Sequence, residues 1–178
     1  MQKRAVQKFR VLINDNRTQM KFSSQEEYGL RCLLRIAKES SRGGLTIPEI
    51  SNSEGMTIHN VAKILRILRL GGFLESARGQ IGGYTLSRRP EEILVGDVLN
   101  VLGGKLYDGE FCKSHKGVVD ICSNSIDCSI RSLWQTLQLT IDGILEKMTL
   151  RDLLATETTI IGTITNYSAV KGKETITL

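Results

Sequence analysis

The stretch that decides the fold is TIPEISNSEGMTIHNVAKILRILRL, residues 46–70. Thr46 and Glu49 have the spacing of a capping box, in which each side chain bonds the backbone near the other, so a short helix should begin there. Gly55 marks a turn, because glycine readily adopts the left-handed backbone that ends a helix. Thr57 is a favoured N-cap for a second, longer helix. This order of elements predicts a helix-turn-helix.

The second of these helices has one apolar face and one polar face. Apolar residues recur three and four positions apart and predict its buried stripe: Val61, Ile64, Leu65 and Leu68. The remaining side, here called the polar–basic face, carries groups that bind phosphates and base edges: Thr57, His59, Asn60, Lys63, Arg66 and Arg69. The second helix of a helix-turn-helix enters the major groove of DNA. We therefore expect this face to contact DNA, with a merely solvated face as the alternative.

A further helix is predicted ahead of this stretch. Ser24 and Glu27 have capping-box spacing, so the helix should begin at Ser24. Its apolar residues follow helical periodicity: Leu30, Leu33, Leu34 and Ala37. Cys32 belongs to the same helix and is expected to be a buried apolar residue.

Residues 73–86 predict a β-hairpin after the second helix. Two short segments, 73–77 and 84–86, flank a glycine-rich tip with Arg78, which could enter a minor groove or bind a phosphate. A phosphate-binding loop is the competing interpretation, but no Lys-Ser or Lys-Thr pair follows the glycines. The expected fold class is mainly α with a small β-hairpin wing (α+β): a winged helix-turn-helix DNA-binding domain plus a long dimerisation helix.

Positive charge is concentrated in two segments. Residues 57–89 hold six Lys or Arg against one Glu, and residues 1–19 hold five against one Asp, whereas residues 90–178 are net acidic. Binding to phosphates requires such clustering. No apolar run approaches the roughly 20 residues that a membrane span needs, and the N-terminus lacks the apolar core of a signal peptide. We expect a cytoplasmic protein with reduced cysteines and no membrane partner.

The C-terminal half predicts a helix for self-association. A short helix near residues 95–102 precedes a long helix that begins at Ser129. The long helix has a heptad-like apolar seam: Trp134, Leu137, Ile141, Ile144 and Met148, with Leu133 and Leu145 beside it. We expect it to pair two protomers, with packing on its own subunit as the alternative. Thr149 and Asp152 predict a short terminal helix, and residues 155–178, which lack strong periodicity, are expected to be mobile.

Three cysteines lie in the loop between these helices: Cys112, Cys122 and Cys128. Thiolates bind soft metals and iron–sulfur clusters, and nothing in the sequence indicates a disulfide-rich secreted domain. With His115 the loop also has a formally complete zinc set of three cysteines and one histidine. From the residues alone, zinc and a cluster rank about equally. No nucleophile–base arrangement, paired-carboxylate motif or C-x-x-C pair is present, so we expect no enzyme.

Residues 20–154 resemble the family of winged-helix regulators that includes IscR, NsrR, RirA and CymR. The resemblance rests on seven runs: MKFS (20–23), YGLR (28–31), IPEI (47–50), LRILRLGGFL (65–74), RGQIGGYTL (78–86), GDVL (96–99) and LW (133–134). It implies a homodimer on near-palindromic double-stranded DNA. In members with these cysteines it also implies an iron–sulfur sensor of the 2Fe–2S or 4Fe–4S type, which lowers the rank of zinc.

The resemblance also implies which residues bind the cluster. The three loop cysteines would be ligands. IscR-like members have a His where this chain has Arg131, which cannot ligate because it stays protonated. NsrR-like members use a carboxylate that matches Glu27, so Glu27 is the expected fourth ligand. The alternatives are His115, water or a small molecule.

These expectations divide the chain into five parts. They are a basic extension or upstream start (1–19), the winged helix-turn-helix (20–103), the cysteine loop (104–128), the dimerisation and terminal helices (129–154), and the tail (155–178). The expected function is that of a repressor whose operator affinity is switched by a cluster that senses iron, redox state or nitric oxide. The alternative is a zinc-stabilised or cofactor-free regulator controlled by a partner protein.

Overall fold

The computed structural model of the protein describes residues 23–40, 43–77, 82–105, 107–108, 110, 112, 122 and 127–169. These residues form helices and one two-stranded antiparallel hairpin, as the sequence predicts. In chain order the elements are α1 (Ser24–Lys38), α2 (Ile47–Glu54), α3 (Ile58–Leu70), β1 (Leu74–Ala77), β2 (Gly83–Leu86), a 3-10 turn (Pro90–Glu92), α4 (Val95–Leu102), α5 (Ser129–Leu145), α6 (Leu150–Leu153) and α7 (Glu157–Ala169).

The N-terminal cap of α1 is one residue earlier than predicted. Ser23 is the N-cap, and its hydroxyl accepts from the backbone N–H of Glu26 at 3.3 Å. The Glu26 carboxylate in turn accepts from the backbone N–H of Ser23 at 2.8 Å. The prediction that Ser24 and Glu27 form the capping box was therefore wrong, because two adjacent serines and two adjacent glutamates allow either register. Glu27 has no capping role as a result.

The core lies where α1, α2, α3 and α4 meet. α1 and α4 approach each other so closely that a methyl group on Gly29 would overlap the Leu102 side chain. The predicted stripe of α3 is confirmed, since all four of its residues are buried: Val61, Ile64, Leu65 and Leu68. Cys32 is also fully buried in this core, and burial raises the pKa of its thiol to about 12. That environment keeps the thiol neutral and confirms its role as an apolar residue.

The hairpin is held to the segment that leads into α2. β1 and β2 pair antiparallel, with Leu74 opposite Leu86. Leu45 adds a further bridge, because its N–H and C=O bond the C=O and N–H of Tyr84 at 3.1 and 2.8 Å. The base of the wing therefore has a fixed position relative to the helix-turn-helix. The tip, with Arg78, lies outside the described residues.

The C-terminal helices are joined to the start of α4. The N–H of Val95 donates to the C=O of Met148, and the N–H of Leu150 donates to the C=O of Ile93, both at 2.8 Å. The chain must be extended to make these bonds, so α5 ends at Leu145. The prediction that Met148 continues the seam of this helix is therefore wrong, because Met148 lies beyond the helix and is buried. Thr149 caps α6 with Asp152, as predicted.

The segment after residue 155 differs from the expectation. Residues 155–178 were predicted to be mobile, but Glu157–Ala169 form α7, which packs against α5 and α6. Its threonines and isoleucines give almost no helical amphipathic pattern, so periodicity does not identify it. In the described part of the chain, no helix is long and apolar enough to cross a bilayer.

Candidate DNA-binding face and cysteine site

The polar–basic face of α3 is exposed along the whole helix. Each of its six residues is solvent-exposed: Thr57, His59, Asn60, Lys63, Arg66 and Arg69. Thr57 is the N-cap, and its hydroxyl accepts from the Asn60 N–H at 3.3 Å. No carboxylate in the described part of the chain pairs with the three cations of this face. Their charge is therefore available to an external anion.

The turn before α3 is rigidly built. Gly55 has φ +65°, the left-handed conformation that a glycine adopts without strain. The hydroxyl of the buried Ser51 donates to the C=O of Met56 at 2.6 Å. Together these features fix the direction in which α3 leaves α2, so the polar–basic face is presented in one orientation.

Two arginines of α1 hold the end of α2 through one carboxylate, a feature that the sequence did not identify. Arg31 and Arg35 donate from Nε to the two carboxylate oxygens of Glu54 at 3.0 and 2.7 Å, and Arg31 also bonds the Glu54 C=O at 2.6 Å. Burial raises the pKa of Glu54, but the hydrogen bonds and charges of Arg35 and Arg31 outweigh burial and hold the pKa below its usual range. Arg31 and Arg35 therefore have a structural role. A count of Lys and Arg in the sequence cannot distinguish such residues from those that bind DNA.

Arg88 likewise has a structural role. Its guanidinium lies over the Phe73 ring, 5.2 Å from the ring centroid, and donates to the C=O of Gly72 and of Glu92 at 3.0 and 3.1 Å. It thereby joins the end of α3 to the segment after β2. Only part of the positive charge of residues 57–89 is free to bind DNA.

Two of the three loop cysteines make hydrogen bonds in the described part of the chain. The Tyr107 hydroxyl is 3.4 Å from Cys112 Sγ. Cys128 is the N-cap of α5, and its Sγ accepts from the Arg131 N–H at 3.4 Å. The pKa of Tyr107 is raised, mainly by the hydrogen bond with Cys112 and then by burial and the charge of Cys112. The charge of Arg131 lowers this pKa, and the charge of Cys128 raises it. Tyr107 is therefore in contact with Cys112.

Tyr107 is in turn held by α5. Its backbone N–H donates to Gln138 Oε1 at 2.8 Å, and Gln138 Nε2 donates to Asp142 Oδ1 at 2.8 Å. Lys105 lies 3.8 Å from the Asp142 carboxylate. These contacts span about thirty residues of chain, so no local sequence pattern predicts them.

Glu27 has no described contact with the cysteines. It is exposed in the first turn of α1 and lines a cavity of about 630 Å³ between α1, α4 and α5. Gln138 and Asp142 line the same cavity, whereas no cysteine of the described residues does. Glu27 thus adjoins the groups that hold Tyr107 without a described contact to a thiol.

The donor set has the chemistry of a soft-metal or cluster site. Cys112, Cys122 and Cys128 are free thiols and partly exposed, as metal-binding cysteines are. In the part of the chain that the structure describes, no three Cys, His, Asp or Glu side chains are gathered to hold a metal ion. His115 lies outside the described residues. The thiols fit an iron–sulfur cluster or zinc by ligand type, while a complete ligand set is not assembled among the described groups.

Comparison with known proteins agrees with this architecture. Residues 22–156 match the family model described as Rrf2, iron-dependent transcriptional regulator. The chain is 30% identical to protein rrf2 of Nitratidesulfovibrio vulgaris over 135 residues, which cover 76% of this chain and 87% of that protein. It is similar to the solved structure of T. potens IscR (28% identity, TM-score 0.60, 76% and 86% of the two chains). It is also similar to the solved structure of CymR, the global cysteine regulator of B. subtilis (26% identity, TM-score 0.57, 76% of this chain and 97% of that chain).

The exposed polar–basic helix, the hairpin that follows it and the cysteine at the N-cap of α5 thus occur in a chain that belongs to the Rrf2 family of winged-helix transcriptional regulators.

Proposed function

We propose that this regulator is a homodimeric repressor whose affinity for a near-palindromic operator is set by an iron–sulfur cluster at Cys112, Cys122 and Cys128. The observation that carries the proposal is the hydrogen bond that ties Tyr107, the neighbour of Cys112, to Gln138 on α5. It connects the candidate sensor with the candidate dimerisation helix. The cluster would supply a group that is lost, oxidised or nitrosylated in response to iron, redox state or nitric oxide.

DNA binding is assigned to the polar–basic face of α3. Near its N-terminus, His59, Asn60 and Lys63 are placed to contact base edges or phosphates, because this end of a recognition helix points into the major groove. Arg66 and Arg69 follow one and two turns later and would hold phosphates. Arg78 at the wing tip remains the predicted minor-groove or phosphate contact.

Dimerisation is assigned to α5. Three large apolar side chains on one side of this helix are exposed: Ile130, Leu133 and Leu137. They continue the predicted seam through Trp134 and Ile141, which are only partly buried. A strip of this length on a monomer surface marks an interaction site, since isolated apolar residues are common on surfaces but contiguous ones are not. A second copy of α5 is the partner that the heptad-like spacing fits.

The geometry supports a route from the thiols to the DNA-binding face. Tyr107 and Gln138 connect Cys112 to α5, and Val95 and Leu150 connect the segment after α5 to the start of α4. A shift of α5 would therefore change how the two α3 helices of a dimer are spaced. A coupling free energy of about 1–3 kcal/mol is typical of such linkage and would change operator affinity roughly five- to 150-fold.

Glu27 is proposed as the carboxylate ligand, supplied across the dimer. The cap register of α1 leaves its side chain unused and exposed. The remaining candidates for this ligand position are His115, water or a small molecule.

A second candidate is a regulator with zinc or with no cofactor, controlled by a partner protein. The observation that favours the cofactor-free form is that the described thiols and carboxylates are not gathered into a metal site. The similarity of this chain to CymR, the global cysteine regulator of B. subtilis, adds to that case.

The deciding experiment is an anaerobic UV–visible spectrum with iron and sulfide analysis of freshly isolated protein. Cys112→Ala, Cys122→Ala and Cys128→Ala should each remove a broad absorption near ~400 nm that is typical of clusters. Cys32→Ala is the matched control, because Cys32 is buried in the core and should leave the spectrum unchanged. A colourless protein with one zinc per chain would support the second candidate instead.

A further inference from the structure

Ile58 is an exposed apolar side chain at the first position of α3. It follows the N-cap Thr57 directly and is 59% exposed. It extends beyond the core that covers Val61, the next apolar residue along the helix. A single exposed isoleucine is unremarkable on a protein surface, so its position is what carries information.

That position is at the end of α3 which would enter the major groove. Ala62 lies one turn later on the same side of the helix and is partly exposed, so the two form a short apolar strip. His59 and Lys63 lie beside the strip, and both are exposed. The strip is thus bordered by groups that suit nucleic acid, which argues for DNA as its partner rather than an apolar protein surface.

Only one group in the major groove is apolar. Thymine presents its C5 methyl there, whereas the other base edges present hydrogen-bond donors and acceptors. Small and apolar side chains contact that methyl. We propose that Ile58, assisted by Ala62, selects a thymine in each operator half-site by contact with its methyl group. This inference rests on the proposed function, in which α3 is the DNA-binding helix.

The test compares thymine with uracil, which differs only by that methyl. Preferred duplexes are selected from a random library with the full-length protein, and each thymine is then replaced singly by deoxyuridine. Fluorescence anisotropy should show one position per half-site at which the wild type loses about fourfold in affinity, the value of one buried methyl group. Ile58→Ala removes the contact from both protomers, so it should bind the thymine duplex about as weakly as the wild type binds a duplex with uracil at this position in both half-sites. The variant should show no further loss with uracil.

Leu70→Ala is the matched control, because Leu70 is on the same helix and is 63% exposed but lies at the opposite end. It should keep the full response to uracil. A wild type without any uracil-sensitive position, or an Ile58→Ala variant that keeps the wild-type response, would overturn the inference. Lys63→Ala separates this failure from that of the proposed function: weaker binding in that variant retains α3 as the DNA-binding helix, whereas unchanged binding removes it.

Discussion

The backbone N–H of Tyr107 donates a hydrogen bond of 2.8 Å to the side-chain oxygen of Gln138, in the middle of α5. Both residues are buried, and Gln138 is one of the few buried polar side chains of the described core. The Tyr107 hydroxyl, at the other end of the residue, is 3.4 Å from Cys112 Sγ. One amino acid therefore contacts the candidate sensor and the candidate dimerisation helix.

Replacement of Gln138 by Leu should free Tyr107 from α5. The Tyr107 N–H would be left without its acceptor, at a cost of about 1–3 kcal/mol for a buried group. Hydrogen exchange should show faster exchange at that amide, and the free energy of unfolding should fall by a similar amount. Gln135→Leu is the matched control, since Gln135 is exposed on the same helix. Equal protection of the Tyr107 amide in both variants would contradict the role of Gln138.

Glu54 should contribute to stability in a pH-dependent way. Its pKa is held below the usual range, because the hydrogen bonds and charges of Arg35 and Arg31 outweigh the effect of burial. A carboxylate with a lowered folded-state pKa stabilises above its unfolded pKa of about 4.3, and the stabilisation is lost as the pH falls through the folded value. Glu54→Gln should therefore cost about 1–3 kcal/mol near pH 7 and much less in acid.

Urea denaturation at several pH values would measure that difference. Glu75→Gln is the control, because Glu75 is exposed on β1. The prediction would be wrong if the stability difference between Glu54→Gln and the wild type stayed constant down to acid pH.

Lys63→Ala should weaken binding to all duplexes by a similar factor. A cation that binds a phosphate releases about one counterion, so loss of Lys63 from both protomers of the dimer should reduce the slope of log affinity against log salt by about 2. Fluorescence anisotropy over a salt series gives both quantities. Lys147→Ala is the control, because it has the same net charge as Lys63→Ala but changes an exposed lysine beyond α5. An equal loss in the two variants would indicate general electrostatics instead of the polar–basic face.

A charge in the apolar strip of α5 should separate the protomers. Leu133→Asp introduces a carboxylate that the dimer would have to bury without a partner, which costs several kcal/mol. Size-exclusion chromatography with light scattering should show a monomer at concentrations at which the wild type is a dimer. Leu139→Asp is the control, since Leu139 is 64% exposed but lies on the opposite side of the helix. Dissociation by Leu139→Asp and not by Leu133→Asp would assign the interface to the other side.

Glu27→Ala should change the cluster and leave the fold intact. Its carboxylate does not cap α1, a role that belongs to Glu26, so helix stability is not expected to depend on it. The visible spectrum and the rate of its decay in air should both change if Glu27 is a ligand. Glu157→Ala, an exposed glutamate of α7, provides the comparison. An unaltered spectrum and decay rate would remove Glu27 from the ligand set.

Local patterns predicted most of the helices and their buried faces. The capping box of Thr46 and Glu49, the cap at Thr57 and the stripe of α3 are all confirmed. Each of these depends on residues three or four positions apart, which a helix places side by side. The two errors, at α1 and at α7, have the same origin, because their local patterns fit several structures. At α1, neighbouring serines and glutamates allow two cap registers. At α7, a run of threonines and isoleucines gives no clear helical periodicity.

The sequence by itself thus determined a helix-turn-helix with an exposed polar–basic helix, because capping and amphipathic burial are short-range effects. Only the tertiary structure decided which charges are structural and which remain available. Arg31 and Arg35 reach Glu54 from another helix, and Tyr107 reaches Gln138 across about thirty residues. Such contacts depend on how helices pack, and packing is set by the whole core at once. For this reason the link between Cys112 and α5 emerged only from the folded chain.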